Sequence, residues 1–457
     1  MSAKPVAQDF QSFLAEYSAA HGDDVLVVGE PVSADQEVTA VVDALARQGR
    51  DPMLVFDRVE GLGCRVATNV FASRRRVARL LGVELAQLHE GYQARARRLL
   101  PTRAVESGPV TEVVVQGDAL DLRRLPLLKH FEGDRGPYIT NAILIAEHPE
   151  TGAGNMSYHR SMLHAPTEIA TSLHSRGDLW RLLQLAVAAG RPLPVAMVIG
   201  THPLVMLAGS ARVPFGTDER EVAGGLLGEP LEVVRTPRHG IKVPAGAEFV
   251  LEGEIDPTAK VDEGPFGEFT GYSSDRSTNN LLRVHTLMQR RTPVWVDIVG
   301  GRSAEHLNLA RIPRESEMAE KLKGRFPGVT AVHYPNSGTH FHAYVALKQM
   351  RPGEARQVML GLLGWDPYLK TVIAVDPDVD VTRDEDVLWA LANHFQPHRD
   401  VLMIDGLPGS PLDPSSSLNG TTSRMGLDAT RGPDFHGKLA VIGGAARARA
   451  EALLRGR

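Results

Sequence analysis

Ile139-Thr140-Asn141-Ala142-Ile143-Leu144-Ile145-Ala146-Glu147, closed by His148-Pro149-Glu150-Thr151-Gly152-Ala153-Gly154, sets the character of the middle of the chain. A short run rich in β-branched and apolar residues, bounded by Pro and Gly, reads as a strand ending in a turn. That turn delivers Asn155-Met156-Ser157-Tyr158-His159-Arg160; if the stretch is extended, Asn155, Ser157 and His159 share one face and Arg160 points to the other. A similar run precedes it at 113–116, others follow at 194–200 and 248–255, and 282–299 reads as a hairpin turning at Arg290-Arg291-Thr292-Pro293. One helix interrupts them, at 178–189, with Leu179, Leu182, Leu183 and Leu185 as its apolar stripe. Many strands with few helices point to a barrel-like or sandwich unit from about 110 to 305.

The flanking regions differ in texture. Before residue 110, helical spacing at 36–48, a short strand at 52–56 and an amphipathic stretch at 73–100 broken near Gly82 describe a small α/β module. After a linking helix at 314–326, strands at 330–334, 341–347, 371–376 and 400–405 alternate with helices at 353–363 and 385–395, which makes a second α/β domain. The expected plan is mixed α/β and α+β in several domains: an N-terminal module over 1–110, a β-rich domain over 111–310, a linker helix over 311–326 and a C-terminal domain over 327–457 with a helical run at 445–454. No period of 20–50 residues repeats, so a solenoid is excluded.

Composition narrows the class. The 457 residues are 43% hydrophobic and 23% charged, as in folded globular proteins. A formal charge of −5 gives no reason to expect a nucleic acid or an anionic membrane surface as partner. The single cysteine, Cys64, rules out an intrachain disulfide, and no apolar run reaches the roughly 18 residues of a membrane span. The default location is cytoplasmic.

Chemistry concentrates in a few stretches. Glu263-Gly264-Pro265-Phe266-Gly267-Glu268 holds two carboxylates on a segment that cannot be helical, and a stiff turn with two acids suits proton transfer unless it is merely a solvated surface turn. His174 precedes a helix, Ser210-Ala211-Arg212 lies in a small-residue loop, and Asp218-Glu219-Arg220-Glu221 follows it with carboxylates. An amide oxygen, an imidazole and a carboxylate together make a reasonable site for Mn²⁺ or Mg²⁺ holding a phosphate.

These stretches, in this order and at these spacings, resemble the UbiD family of reversible decarboxylases that use prenylated FMN. The resemblance extends through Asp376-Pro377-Asp378-Val379-Asp380-Val381 and Arg424-Met425-Gly426-Leu427-Asp428-Ala429-Thr430. It implies a central split barrel that binds the cofactor. Asn155, His174 and Glu219 match the ligands of a divalent metal bridging to the flavin phosphate, with Glu221 as rival to Glu219; K⁺ is a further cation it allows. Ser157, Tyr158, Ser210, Ala211 and Arg212 match cofactor-lining positions, and Arg424 a basic residue near the phosphate. Arg160, Glu263 and Glu268 match a Glu-Arg-Glu catalytic network in which Glu268 donates the proton, Glu263 tunes it, and Arg160 pairs with the substrate carboxylate or with the glutamates.

Partners implied are a small carboxylic acid and CO₂, a flavin prenyltransferase as cofactor supplier, and further copies of the chain in a homodimer or homohexamer. His306 with Arg311 or Arg314 suggests a pocket for a second carboxylate or a ring heteroatom, hence a furan- or pyrrole-type acid; alternatively both arginines only cap and solvate the linker helix. The competing readings are an α,β-unsaturated or phenolic acid as substrate and, in another class, a flavin-independent metal-dependent hydrolase.

Overall fold

The computed structural model describes residues 7–173, 177–274, 277–417 and 419–455. Among them, nine strands form one curled half-barrel sheet. Its order is Tyr138–Ile139, Ser161–Ala165, Glu168–Thr171, Ser277–Gln289, Phe249–Glu263, Leu193–Ile199, Ile143–Glu147 and Gly154–Tyr158, with Val113–Gln116 paired beside Ser277–Gln289.

Both faces of this sheet are covered, which is why its strands read as continuous apolar runs rather than alternating ones. Ile143, Ile145, Ala196, Val198 and Val250 pack into a core with the N-terminal helix Phe10–Ala20. Their neighbours Leu144, Ala146, Met197 and Leu251 pack on the other side with helix Asp178–Ala188.

The hairpin expected over 282–299 does not form. Ser277–Gln289 pairs instead with Phe249–Glu263, from Phe249 opposite Gln289 to Glu263 opposite Ser277. Val294–Val296 crosses to the N-terminal module and runs parallel to Arg65–Thr68 as the fourth strand of its sheet. All three of its residues are buried, with the Trp295 ring 5.3 Å from Phe249, and an exposed hairpin arm could not supply that cover. The Gly-Pro-Phe-Gly stretch therefore joins the two longest paired strands of the protein.

The linking helix runs over Ala304–Arg325, well before the expected start at 314. Ser303 caps it by accepting the His306 N–H, and Pro313 lies buried in its interior. Beyond it, the C-terminal sheet has the order Val329–His333, His342–Leu347, Thr371–Val375, Thr421–Ala429 and Val401–Pro408. Thr421–Ala429 went unread because its Thr-Thr-Ser-Arg opening is polar, yet it pairs on both edges. No described helix is long and apolar enough to cross a membrane.

Candidate active site

Strand Phe249–Glu263 carries Glu263 to the mouth of the half-barrel, where the chain turns through Gly264, at a φ of 87°, and a cis Gly264–Pro265 bond. Arg160 arrives from the tight turn between Gly154–Tyr158 and Ser161–Ala165. Its Nη2 donates to Glu263 Oε2 at 2.9 Å, and its Nη1 contacts Glu268. The guanidinium also lies over the Phe266 ring, 5.2 Å from its centroid. One cation thus bridges both acids.

The two acids differ in surroundings. Glu263 is fully buried and accepts a second hydrogen bond from Asn279 Nδ2 at 2.6 Å. Glu268, also buried, lines a cavity of about 930 Å³. Arg160, Tyr158, Ser210, His306 and Arg314 line the same cavity, as do Phe269 and, from the C-terminal domain, His340 and Tyr368.

At the other end of Gly154–Tyr158, Asn155 Nδ2 donates to Glu219 Oε1 at 3.3 Å, and Glu219 Oε2 accepts the Met156 N–H. Burial pushes the Glu219 carboxyl up to about 8, with Asp218 and Asp178 adding to the push. Glu219 opens helix Glu219–Leu227, whose N-cap Asp218 accepts the Gly154 N–H and pairs with the fully buried Arg220. A side chain on Gly154 would stand 2.4 Å from that guanidinium, so the turn before Asn155 requires glycine. Glu219, rather than the half-buried Glu221, presents its carboxylate to Asn155. Ser157 Oγ bonds both Asn155 Oδ1 and His159 Nε2, as one shared strand face demands. His174 lies outside the described residues.

Other expected site residues have different employment. Arg311 is fully buried and donates to the carbonyls of Leu307, Tyr334, Pro335 and Thr339; burial lowers it to about 9, and it does not line the cavity. Its expected role as a substrate contact is thereby corrected: it ties the linker helix to the next domain. Arg424 likewise binds the carbonyls of Leu363, Asp366, Pro367 and Pro408 and does not itself line the cavity. Arg212 pairs with Glu317 at 3.4 Å, and Ala211 packs against the core. Arg314 is different. Its Nε and Nη1 are buried without a hydrogen-bond partner, Asp366 lies 3.6 Å away, and the guanidinium stacks on Tyr368 at 4.6 Å.

Sequence reasoning missed Asn279, His340 and Tyr368. Asn279 is brought to Glu263 by strand register, and the other two come from a domain whose contribution to the cavity no local pattern announces.

The three domains of one enzyme family match this chain: the 3-octaprenyl-4-hydroxybenzoate carboxy-lyase N-terminal domain over residues 20–95, its Rift-related domain over 103–303 and its C-terminal domain over 307–429. The UbiD-class enzyme HmfF from Pelotomaculum thermopropionicum, solved with FMN, is 33% identical over 98% of this chain and 100% of its own, with a TM-score of 0.91. The chain belongs to the UbiD family. Members of this family are carboxy-lyases, which decides between decarboxylase and hydrolase. An evolved dimeric HmfF solved with prFMN superposes at a TM-score of 0.86, with 32% identity over 96% of this chain and 100% of its own. The 3,4-dihydroxybenzoic acid decarboxylase AroY of Klebsiella pneumoniae does so at 0.87, with 25% identity over 97% of this UbiD chain and 99% of its own.

Proposed function

We propose that this UbiD protein is a prenylated-FMN-dependent, reversible decarboxylase of a furan- or pyrrole-type carboxylic acid, with Glu268 as proton donor. The observation that carries the reading is Arg160 spanning Glu263 and Glu268 at the wall of a cavity of about 930 Å³. Such a volume is at the upper end for small-molecule sites, on the order of 300–1,000 Å³, and suits a flavin with a planar acid beside it. Apolar walls at Phe266, Phe269, Ile298 and Leu309 fit flat rings, and Asn155 with Glu219 supplies hard oxygens for the Mn²⁺ or Mg²⁺ that His174 would complete.

The bound cofactor supplies the electron sink that no side chain offers once carbon gives up CO₂. The chain supplies the rest. Arg160 holds Glu268 at the cavity wall; Glu263 is engaged by Arg160 and Asn279 and does not line the cavity, which leaves Glu268 as the acid placed to carry a proton into it.

Arg314 carries the substrate preference. A cation at the cavity wall whose Nη1 has no hydrogen-bond partner, and whose Nε is paired only loosely with Asp366, fits a second carboxylate on the substrate. His306 Nδ1 must donate to the Gly301 carbonyl, at 3.0 Å, so its Nε2 is an acceptor suited to a ring N–H or a hydroxyl; burial lowers its pKa and keeps it neutral. The test is co-expression with a flavin prenyltransferase, then a panel of acids scored by CO₂ release. Turnover of furan or pyrrole diacids supports the reading, turnover confined to cinnamate-like or phenolic acids replaces the substrate class, and no turnover by cofactor-loaded protein overturns the function. His174→Ala is expected to lose metal and cofactor together.

A further inference from the structure

Both glutamates of the Arg160 network hang on one short segment, 263–268, and a second segment, 131–138, grips that turn along its length. The Gly264 N–H donates to the Tyr138 hydroxyl at 3.1 Å, and that hydroxyl donates to the Pro265 carbonyl at 3.3 Å. The Arg135 N–H donates to the same Pro265 carbonyl at 3.1 Å. The Gly267 N–H, one residue before Glu268, donates to Asp134 Oδ1 at 2.8 Å, while Asp134 Oδ2 accepts the Phe131 N–H at 3.0 Å. The Tyr138 and Phe266 rings pack at 4.6 Å, and a side chain on Gly267 would meet the Phe131 ring at 2.3 Å. Tyr138 and Asp134 are buried, at 0% and 4% exposure, and neither lines the cavity.

A buried carboxylate spent on two backbone amides, and a buried phenol spent on one amide and one carbonyl, cost more than apolar side chains of equal size unless the placement they enforce is needed. We propose that Tyr138 and Asp134 are positioning residues for the decarboxylation, Tyr138 fixing the Gly264–Pro265 backbone that keeps Glu263 paired with Arg160 and Asp134 fixing the backbone from which Glu268 projects. The inference rests on the proposed role of the Arg160 network. Tyr138 acts through the Gly264 amide and the Pro265 carbonyl that it holds, the two groups that follow Glu263 in the chain. Asp134 acts through the main-chain amides of Phe131 and Gly267.

The experiment compares Tyr138→Phe and Asp134→Asn with the parent holoenzyme, using the best acid from the panel and recording kcat, KM, the pH profile of kcat, flavin content and thermal midpoint. Tyr138→Phe is expected to retain flavin and KM and to lose about 10- to 100-fold in kcat, a split that a merely structural role would not produce. Asp134→Asn keeps one oxygen for one of the two amides, so it is expected to lose about 10-fold in kcat with the pH profile unmoved. An unchanged kcat in Tyr138→Phe overturns the proposal. Loss of flavin or of the folded transition in both variants also overturns it, by assigning the pair to the integrity of the pocket. Glu268→Gln runs alongside: if it stays active, the network reading itself fails, whereas inactive Glu268→Gln beside unaltered Tyr138→Phe refutes only the positioning role.

Discussion

Arg160 Nη2 reaches Glu263 Oε2 at 2.9 Å from 103 residues away in the chain, with the Glu263 side chain wholly buried. An uncompensated buried charge is costly, so each partner depends on the other. Since two guanidinium nitrogens serve two separate acids, a single ammonium cannot replace them. Arg160→Lys is expected to lower kcat by about 100-fold or more while the protein remains folded, measured by CO₂ release and circular dichroism.

The contrast between the glutamates predicts unequal losses. Glu268→Gln removes the group at the cavity wall and is expected to cost about 10²- to 10⁴-fold in turnover with flavin retained. Glu263→Gln leaves that group in place and is expected to cost less and to alter the pH dependence. Full activity in Glu268→Gln would refute the assignment of the proton donor.

Arg314 makes a prediction about selectivity. Replacing it with Met keeps much of the volume stacked on Tyr368 and removes the charge. For an acid with a second carboxylate, kcat/KM is expected to fall about 10- to 100-fold, with little change for the matching monoacid. Equal losses on both would place Arg314 outside substrate recognition.

Arg311 predicts instability rather than lost chemistry. Arg311→Met removes the guanidinium that ties the linker helix to the carbonyls of Tyr334, Pro335 and Thr339, of which Tyr334 keeps only Arg74 as donor. The expected cost is about 3 kcal/mol or more, read from chemical denaturation. The substrate KM of the folded fraction should be unchanged.

His202 predicts a pH effect on stability. Burial lowers its pKa from 6.5 to about 4, with Nδ1 accepting the Leu204 N–H at the start of helix Pro203–Ala208. Between those values the unfolded chain binds the proton that the folded one refuses. Its stabilising contribution is therefore complete above pH 6.5 and lost as the pH falls towards 4. His202→Asn preserves a capping acceptor and should flatten that part of the thermal midpoint against pH.

Local sequence carried much of this protein. Strand runs such as 143–147, helix stripes such as 178–188 and the glycines that permit the 263–268 turn follow from side-chain periodicity and backbone freedom, which neighbours in sequence settle. The order and spacing of Asn155, Arg160, Glu219, Glu263 and Glu268 were likewise readable, because a short site motif travels as a unit. Three things awaited the tertiary structure. Strand partners depend on register and burial over long separations, so Val294–Val296 left its expected hairpin for the N-terminal sheet and Ser277–Gln289 brought Asn279 to Glu263. The C-terminal domain's share of the cavity, His340 and Tyr368, depends on how domains pack. And three arginines of one chemistry, Arg311, Arg314 and Arg424, took different jobs because a guanidinium binds whatever acceptors surround it: carbonyls close around Arg311 and Arg424, while Arg314 is left facing the cavity.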